Sequence, residues 1–440
     1  MKTKNELWQI SLKSITKPLF FFVMVVVLLS SCKKEDDMVI NSISINPNEV
    51  TMYTGDSDSL KVLITPSDIV ISEIIWKSSN EKVVQVENGV ITALSFGKSD
   101  IIATVGSFSA SCHITVLPHT YIAGYVTNEN NYSVATVWKD GVAISLTDGT
   151  KNSVANSVFE IEGDIYAGGY IDMDNNKGLC PIIWKNEKVD ASLCNESTSG
   201  SINSITKVNN IFYAVGCYGE WVDGEYYEFP AIWKDGIRMP LLETPGEASS
   251  LSVVGNDVYV GGYEKISKDL SSRIIWKNGT SEKIGEDGFL ADVKALYVDA
   301  QNPSDIYLGG YIWKSGESFT TAYQCKNGEE LFLTDGSTHA GVGSIIEYQG
   351  NIYAAGYIGN EYDILLSVVW KNGQVYKIMS DGDKEGHSSI NSFLIVDSIE
   401  YACGTCNFED ESPTAVLWVN GIKTELAKNV KSEAKSLFIR

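Results

Sequence analysis

The sequence predicts an all-β chain in two units: a small β-sandwich over residues 41–117 and, over residues 118–440, a ring of seven four-stranded sheets. Three observations carry this. Short runs alternate apolar and polar residues, with turn signals at intervals of roughly 8–12 residues. A Tyr-x-x-Gly motif recurs seven times in the second unit. A Trp-Lys-Asn/Asp-Gly motif accompanies each recurrence, with small departures. Composition agrees, since 38 Gly and 22 Tyr suit strands and tight turns rather than a helical bundle.

The N-terminal segment reads as an address. Lysines at 2, 4, 13 and 17 precede the apolar run from Leu19 to Leu29, which is too short to span a bilayer and has the layout of a secretory signal. The run ends in Leu29-Ser30-Ser31-Cys32, which resembles a bacterial lipobox. That resemblance implies a signal peptide over 1–31, an acylated Cys32 as the first mature residue, and a linker over 32–40. The linker run Lys33-Lys34-Glu35-Asp36-Asp37 resembles the export signal of Bacteroidota surface lipoproteins, which implies an outer-membrane protein facing outward. Lipid attachment then needs no basic patch, because several acyl chains on one cysteine anchor stably.

Charge excludes some partners. The chain holds 34 Lys plus Arg against 56 Asp plus Glu, a net charge of -22. Removing 1–31, with four lysines and one glutamate, leaves 30 against 55 and a net charge of -25. Nucleic acid and an anionic bilayer face, which call for basic surfaces, are excluded as partners.

In the first unit, Ile43 and Ile45, Val50 and Met52, and Leu60, Val62 and Ile64 alternate with polar residues around turns at Asn46-Pro47 and Gly55-Asp56. Further strands are expected at Ile75-Trp76-Lys77-Ser78-Ser79, Val83–Val86, Val90–Ala93, Ile101–Ala103 and Cys112–Val116. The strand order, the Trp before two Ser and the Gly-Val-Ile-Thr-Ala step resemble the bacterial Ig-like domain of group 2. The resemblance implies an Ig-like sandwich with Trp76 in its core; Cys112 reads as a small buried apolar residue. It implies a spacer or adhesion module and names no ligand.

The second unit repeats from Tyr121-Ile122-Ala123-Gly124 through Tyr166, Tyr213, Tyr259, Tyr307 and Tyr353 to Tyr401, at spacings of 45, 47, 46, 48, 46 and 48 residues. The companion motif stands at Trp138, Trp184, Trp233, Trp276, Cys325, Trp370 and Trp418. Asn-Gly and Asp-Gly favour a two-residue hairpin turn, so each unit holds four strands, one propeller blade. Trp313-Lys314-Ser315-Gly316 mimics the motif out of register and reads as loop. The unit opens on a second-type strand (120–125) and ends on a first-type strand (434–439). The last strand is therefore expected to complete the first blade and close a seven-bladed β-propeller. The glycine-rich strands are Kelch-like in style, but the motifs match no Kelch, WD or Asp-box pattern.

The repeated aromatics read as packing between blades, which leaves the loops as the place for function. The third-blade loop collects Tyr218, Trp221, Tyr226 and Tyr227, and the fourth carries Lys265, Lys268 and Arg273. An aromatic wall beside cations suits a flat, anionic or π-rich ligand. Trp313 belongs to the same face. So do His339 and His387, which stand six residues before matching inner-strand positions. Asp172–Gly178 reads as a turn rather than a calcium loop, since Lys177 occupies the place of the required glycine. Cys403-Gly404-Thr405-Cys406 is one CxxC without a second, and no metal site is expected. Cys180 and Cys194 flank the second-blade hairpin, close enough in sequence to pair. Neither G-x-S-x-G, H-E-x-x-H nor a phosphate loop is present. No catalytic residue and no cofactor are therefore expected.

The layout resembles surface propeller lipoproteins that serve TonB-dependent outer-membrane transporters. It implies non-enzymatic capture of a nutrient, first of all a metal chelate such as a ferric siderophore or corrinoid. The alternatives are a glycan-binding lipoprotein of a polysaccharide-uptake system, and an adhesin or protein-interaction module.

Overall fold

A computed structural model describes residues 40–440 apart from 68, 70–72, 174–177, 194–198, 286–288, 315, 380–384 and 409–411. The signal peptide, Cys32 and the acidic run lie outside the described residues, as do Cys194 and most of Asp172–Gly178. Every regular element described is a strand, and no helix there is long and apolar enough to cross a membrane.

Residues 42–117 form a sandwich of short sheets. One sheet joins Glu49–Tyr53, Phe108–Leu117, Gly97–Val105 and Ile75–Ser78; another joins Ser57–Ser59, Val90–Ala93 and Val84–Glu87. Their inner faces bury Met52, Leu60, Val84, Ile91, Ile101, Cys112 and Ile114. Trp76 packs on this core yet stays partly exposed and lines a shallow groove, so it is not enclosed between the sheets as expected. The two Ser after it explain themselves: Ser78 Oγ and Ser79 Oγ lie 2.9 and 3.3 Å from Ser99 Oγ, fastening the Trp strand to its neighbour.

From Thr120 onward the chain forms seven four-stranded antiparallel sheets, the arrangement of a β-propeller. Sheets 2 to 7 are continuous in sequence, and their innermost strands are Ser153–Ile161, Ser199–Val208, Gly246–Val254, Phe289–Val298, Ala340–Tyr348 and Glu385–Val396. Sheet 1 takes its innermost strand, Ser432–Ile439, from the end of the chain, paired with Thr120–Thr127. Side-chain hydrogen bonds link each sheet to the next. Asn156 donates to the Ile202 carbonyl, Asn203 to Ala248, Ser271 to Ala291, Thr320 to Ala340 and Ser344 to Phe393. Asn391 donates to Ala434, joining sheet 7 to sheet 1, and Ser153 accepts the Ala135 N–H, joining sheet 1 to sheet 2.

Each repeated residue has a visible task. The turn residues Asp140, Asn186, Asp235, Asn278, Asn327, Asn372 and Asn420 sit at φ of 46–52°, as this hairpin turn requires. Each also accepts, through its side chain, the backbone N–H that opens the second strand of its own sheet, at 2.8–3.0 Å. The six motif Trp are at most 2% exposed, filling space between sheets. The motif Lys, which follows Trp in five sheets and Cys325 in the fifth sheet, lies 5.0–5.8 Å from the motif Tyr ring centroid in six sheets, a cation–π contact. In the seventh sheet Val419 takes that place.

Candidate functional site

The innermost strand of every ring sheet carries a β-bulge at a matching position, and that of sheet 7 has a second irregularity nearer its start. The residues left unpaired are Asn156, Asn203, Ser249, Lys294, Gly343 and Asn391 in sheets 2 to 7 and Lys435 in sheet 1. A bulge inserts an extra residue and re-aims its side chain. All seven line a single axial cavity of about 420 Å³, within the roughly 300–1,000 Å³ span of small-molecule sites.

The bulges also explain the motif glycine. A Cβ on Gly124, Gly169, Gly216, Gly262, Gly310, Gly356 or Gly404 would stand 1.9–2.0 Å from the carbonyl oxygen of the inner-strand residue that precedes its register partner. Only glycine admits that approach. The Tyr-x-x-Gly motif is therefore the imprint of the bulge on the neighbouring strand.

Two residues before the bulge, sheets 4, 5 and 1 carry Glu247, Asp292 and Glu433. Asp292 is 6% exposed and its Oδ2 pairs with Lys294 Nζ at 2.5 Å, while Oδ1 has no partner among the described residues. Glu433 pairs with Lys435 at 3.1 Å. Burial lowers the affinity of Lys294 for its proton, but Asp292 and Glu247 outweigh this and hold the ammonium above its ordinary range. Burial raises Glu247 above the usual carboxylate range, and Lys294 opposes that shift. Tyr311 and Tyr357 also line the cavity. A second cavity of about 420 Å³ adjoins at sheets 1 and 2, sharing Glu433 and Lys435 and adding Tyr125 and Tyr170.

The residues expected from sequence lie elsewhere. Tyr218 to Phe229 is not a loop but a hairpin, the extended ends of Ile211–Val222 and Glu225–Lys234. Tyr218 is buried between Phe229, 5.4 Å away, and the Arg238 guanidinium, 3.5 Å from its ring centroid. Trp221, 71% exposed, meets Tyr226 edge-on at 5.7 Å. The Tyr226 hydroxyl bonds Ser199 Oγ, and Tyr227 donates to Glu225. Lys265 and Lys268 are exposed on the neighbouring hairpin of sheet 4. Arg273 departs most from expectation: 1% exposed, it is ion-paired with Glu330 and lies over the Tyr323 ring at 4.7 Å, a strut between sheets 4 and 5 that no ligand reaches. Lys265 is in register with Ser271 and Arg273 with Tyr263, so the two cations share a sheet face; what separates them is that sheet 5, through Glu330 and Tyr323, covers Arg273 and leaves Lys265 exposed.

Trp313 is in strand Ile306–Lys314, not a loop, and donates to the Glu317 carbonyl at 2.6 Å. His339 and His387 occupy equivalent places, as their spacing predicts, but each accepts a backbone N–H from the preceding sheet, of Thr320 and Leu365 respectively. Asn152 accepts the Ser133 N–H in the same way in sheet 2, so the position serves as a strand fastener. No cluster of His, Cys, Asp or Glu among the described residues suits a metal ion. Cys180 is disulfide-bonded; Cys112, Cys217, Cys325 and Cys403 are buried free thiols.

The sequence reading missed the bulge residues. Their signal was present: Ala155-Asn156-Ser157-Val158, Ile202-Asn203-Ser204-Ile205, Val293-Lys294-Ala295-Leu296 and Ala434-Lys435-Ser436-Leu437 recur in phase with the other motifs. A variable residue is held there between an apolar and a small one.

Residues 39–116 match the family model described as Bacterial Ig-like domain (group 2). An uncharacterised protein of Clostridium acetobutylicum is 36% identical over 81 residues, 18% of this chain and 20% of that protein. An alpha-L-arabinofuranosidase of Bifidobacterium longum is 32% identical over 84 residues, 18% of this chain and 8% of that one. The chain thus spans at most a fifth of the length of these relatives. Among solved structures, a quinonprotein alcohol dehydrogenase-like protein from Bacteroides thetaiotaomicron aligns over 89% of this chain and 96% of its own, at 9% identity and a TM-score of 0.38. The β-propeller domain of the trilobed protease from Pyrococcus furiosus aligns over 82% and 96%, at 15% identity and 0.38. Neither likeness bears on what this chain does.

Proposed function

We propose that the chain is a non-enzymatic binding protein whose seven sheets form a seven-bladed β-propeller, and that it captures a small polar nutrient in the axial cavity of that ring. In this reading Cys32 carries the lipid anchor at the outer membrane, the Ig-like unit is the spacer, and a TonB-dependent transporter receives the ligand. The observation that carries the site is the convergence of seven bulge residues, one per sheet, on one cavity. A rigid ring then presents preorganised polar groups, which keeps the ordering cost of binding low. Neighbouring groups fix the orientation of both lining carboxylates, Glu433 through Lys435 and Glu247 through the Asn203 amide at 2.7 Å, an arrangement that suits a binding site. The burial of Arg273 removes the main argument for an anionic chelate on the loops.

The test is a thermal-shift screen of siderophores, corrinoids and oligosaccharides, followed by Ser249→Trp, which fills the cavity. A ligand present at a hundred times its Kd stabilises the folded state by about 2.7 kcal/mol. That shift should vanish in Ser249→Trp and persist in Trp221→Ala. The opposite pattern would place the site on the exposed hairpin.

A further inference from the structure

Two side-chain groupings, whose Asn and Glu line the axial cavity, are copies of one another. In the first, Glu247 accepts from Asn203 Nδ2 at 2.7 Å, and the Tyr263 hydroxyl lies 3.5 Å from its other oxygen. In the second, Glu433 accepts from Asn391 Nδ2 at 3.3 Å and from the Tyr125 hydroxyl. The parts correspond position by position. Each Asn is the bulge residue of the preceding sheet and also donates to a backbone carbonyl beside the next bulge, at 3.0 and 2.8 Å. Each Glu stands two residues before its own sheet's bulge, and each Tyr is its register partner on the second strand. The first copy joins sheets 3 and 4, the second sheets 7 and 1, on opposed parts of the ring.

We infer that these two Asn–Glu–Tyr groupings are paired recognition units for one uncharged, polyhydroxylated ligand, a sugar ring or short oligosaccharide end, held across the axial cavity. This rests on the axial cavity being the binding site. An oriented carboxylate with lone pairs to spare accepts hydroxyl protons, and vicinal hydroxyls supply two at once. Phenol, amide and ammonium groups at hand can donate back to the same hydroxyls. Sugar hydroxyls both donate and accept, which matches this mixed lining. An anion does not match it: Lys294 and Lys435 are already paired with Asp292 and Glu433, so an anionic ligand would compete with two ion pairs and face the two lining carboxylates, Glu247 and Glu433. Ser249 Oγ, buried and without a hydrogen-bond partner among the described residues, adds a further polar group on the cavity wall.

The experiment is binding of the detergent-solubilised intact chain to an array of neutral oligosaccharides, their uronic-acid counterparts, ferric citrate and cyanocobalamin. It is repeated at low and high salt, and with Glu247→Gln, Glu433→Gln and Ser249→Trp. Expected is binding to neutral sugars with no salt dependence, weakened about 10- to 100-fold by either Gln variant and abolished by Ser249→Trp. Circular dichroism and an unfolding midpoint establish that each variant is folded; if one Gln variant fails to fold, the other decides. Salt-sensitive binding of uronates or ferric citrate, or binding of cyanocobalamin alone, lost in Ser249→Trp, would overturn the ligand class and leave the cavity as the site. Neutral-sugar binding that survives Ser249→Trp would overturn the cavity itself. Failure of every neutral sugar to bind would also overturn the inference.

Discussion

Replacing Gly262 by alanine tests the link between the bulge and the repeat. The new Cβ would lie 2.0 Å from the Glu247 carbonyl oxygen and 3.0 Å from both the Glu247 carbonyl carbon and Ala248 Cα, all backbone atoms that cannot rotate away. Restoring an ordinary contact requires the inner strand to retreat by more than about 1 Å, or the bulge to straighten. Overpacking of this kind costs about 1–3 kcal/mol, and a backbone obstacle puts it at the upper end. At roughly 2.1 cal/mol/K per residue over the 323 residues from 118 to 440, about 3 kcal/mol lowers the midpoint by about 4–5 °C. The control is Gly255→Ala, at φ 62° with nothing within 4 Å of the added atom, which meets only left-handed strain of about 1–2 kcal/mol. Thermal unfolding followed by tryptophan fluorescence reads the ring, where the buried Trp sit. Straightening the bulge would also re-aim Ser249 and displace Glu247, so ligand binding should fall with stability. Equal midpoints for Gly262→Ala and the wild-type chain would refute the close approach as the reason for the glycine.

Four further outcomes are expected. Trp370→Ala, at a position 0% exposed, should cost about 3–5 kcal/mol, whereas Trp221→Ala on the exposed hairpin should stay within about 0.5 kcal/mol, both read by denaturant titration. Arg273→Ala should cost about 3–5 kcal/mol, because it leaves Glu330 without its partner between two sheets; an unchanged midpoint would return Arg273 to the list of ligand-facing residues. Burial raises Glu247 above its ordinary 4.5. Its ionisation therefore costs folded-state stability, fully so above the folded value and not at all below about pH 4. Glu247→Gln should accordingly raise the unfolding midpoint near pH 7, with the gain closing as pH falls through the carboxylate range. Burial pushes the Cys217 thiol up to about 12 and Cys325 to about 11, so iodoacetamide at pH 8 should label neither in the folded chain and both after denaturation, as mass spectrometry would record.

Much of the ring was legible because its motifs state local requirements. The turn Asn and Asp declare a hairpin that needs positive φ and a side-chain acceptor, and the buried Trp declares a contact repeated at each sheet boundary. The return of Ser432–Ile439 to sheet 1 was legible from the phase of the repeat alone. The site was less so. Tyr218, Trp221 and Arg273 stood out by residue type, yet exposure depends on which face of a strand a residue takes and on what the next sheet places against it. Arg273 found Glu330 and Tyr323, distant in sequence, and Tyr218 found Arg238.

By itself, the sequence determined the strand content, the turn geometry, the seven-fold repeat and the glycine that each repeat requires, because these follow from backbone sterics within some 50 residues. Only the tertiary structure decided that the glycine faces a bulge and that seven bulge residues share one cavity. It alone paired Asn203 with Glu247 and Asn391 with Glu433. Those meetings join neighbouring sheets, and the last joins the two ends of the ring-forming chain. Their chemistry exists only once the sheets are packed face to face around a common axis.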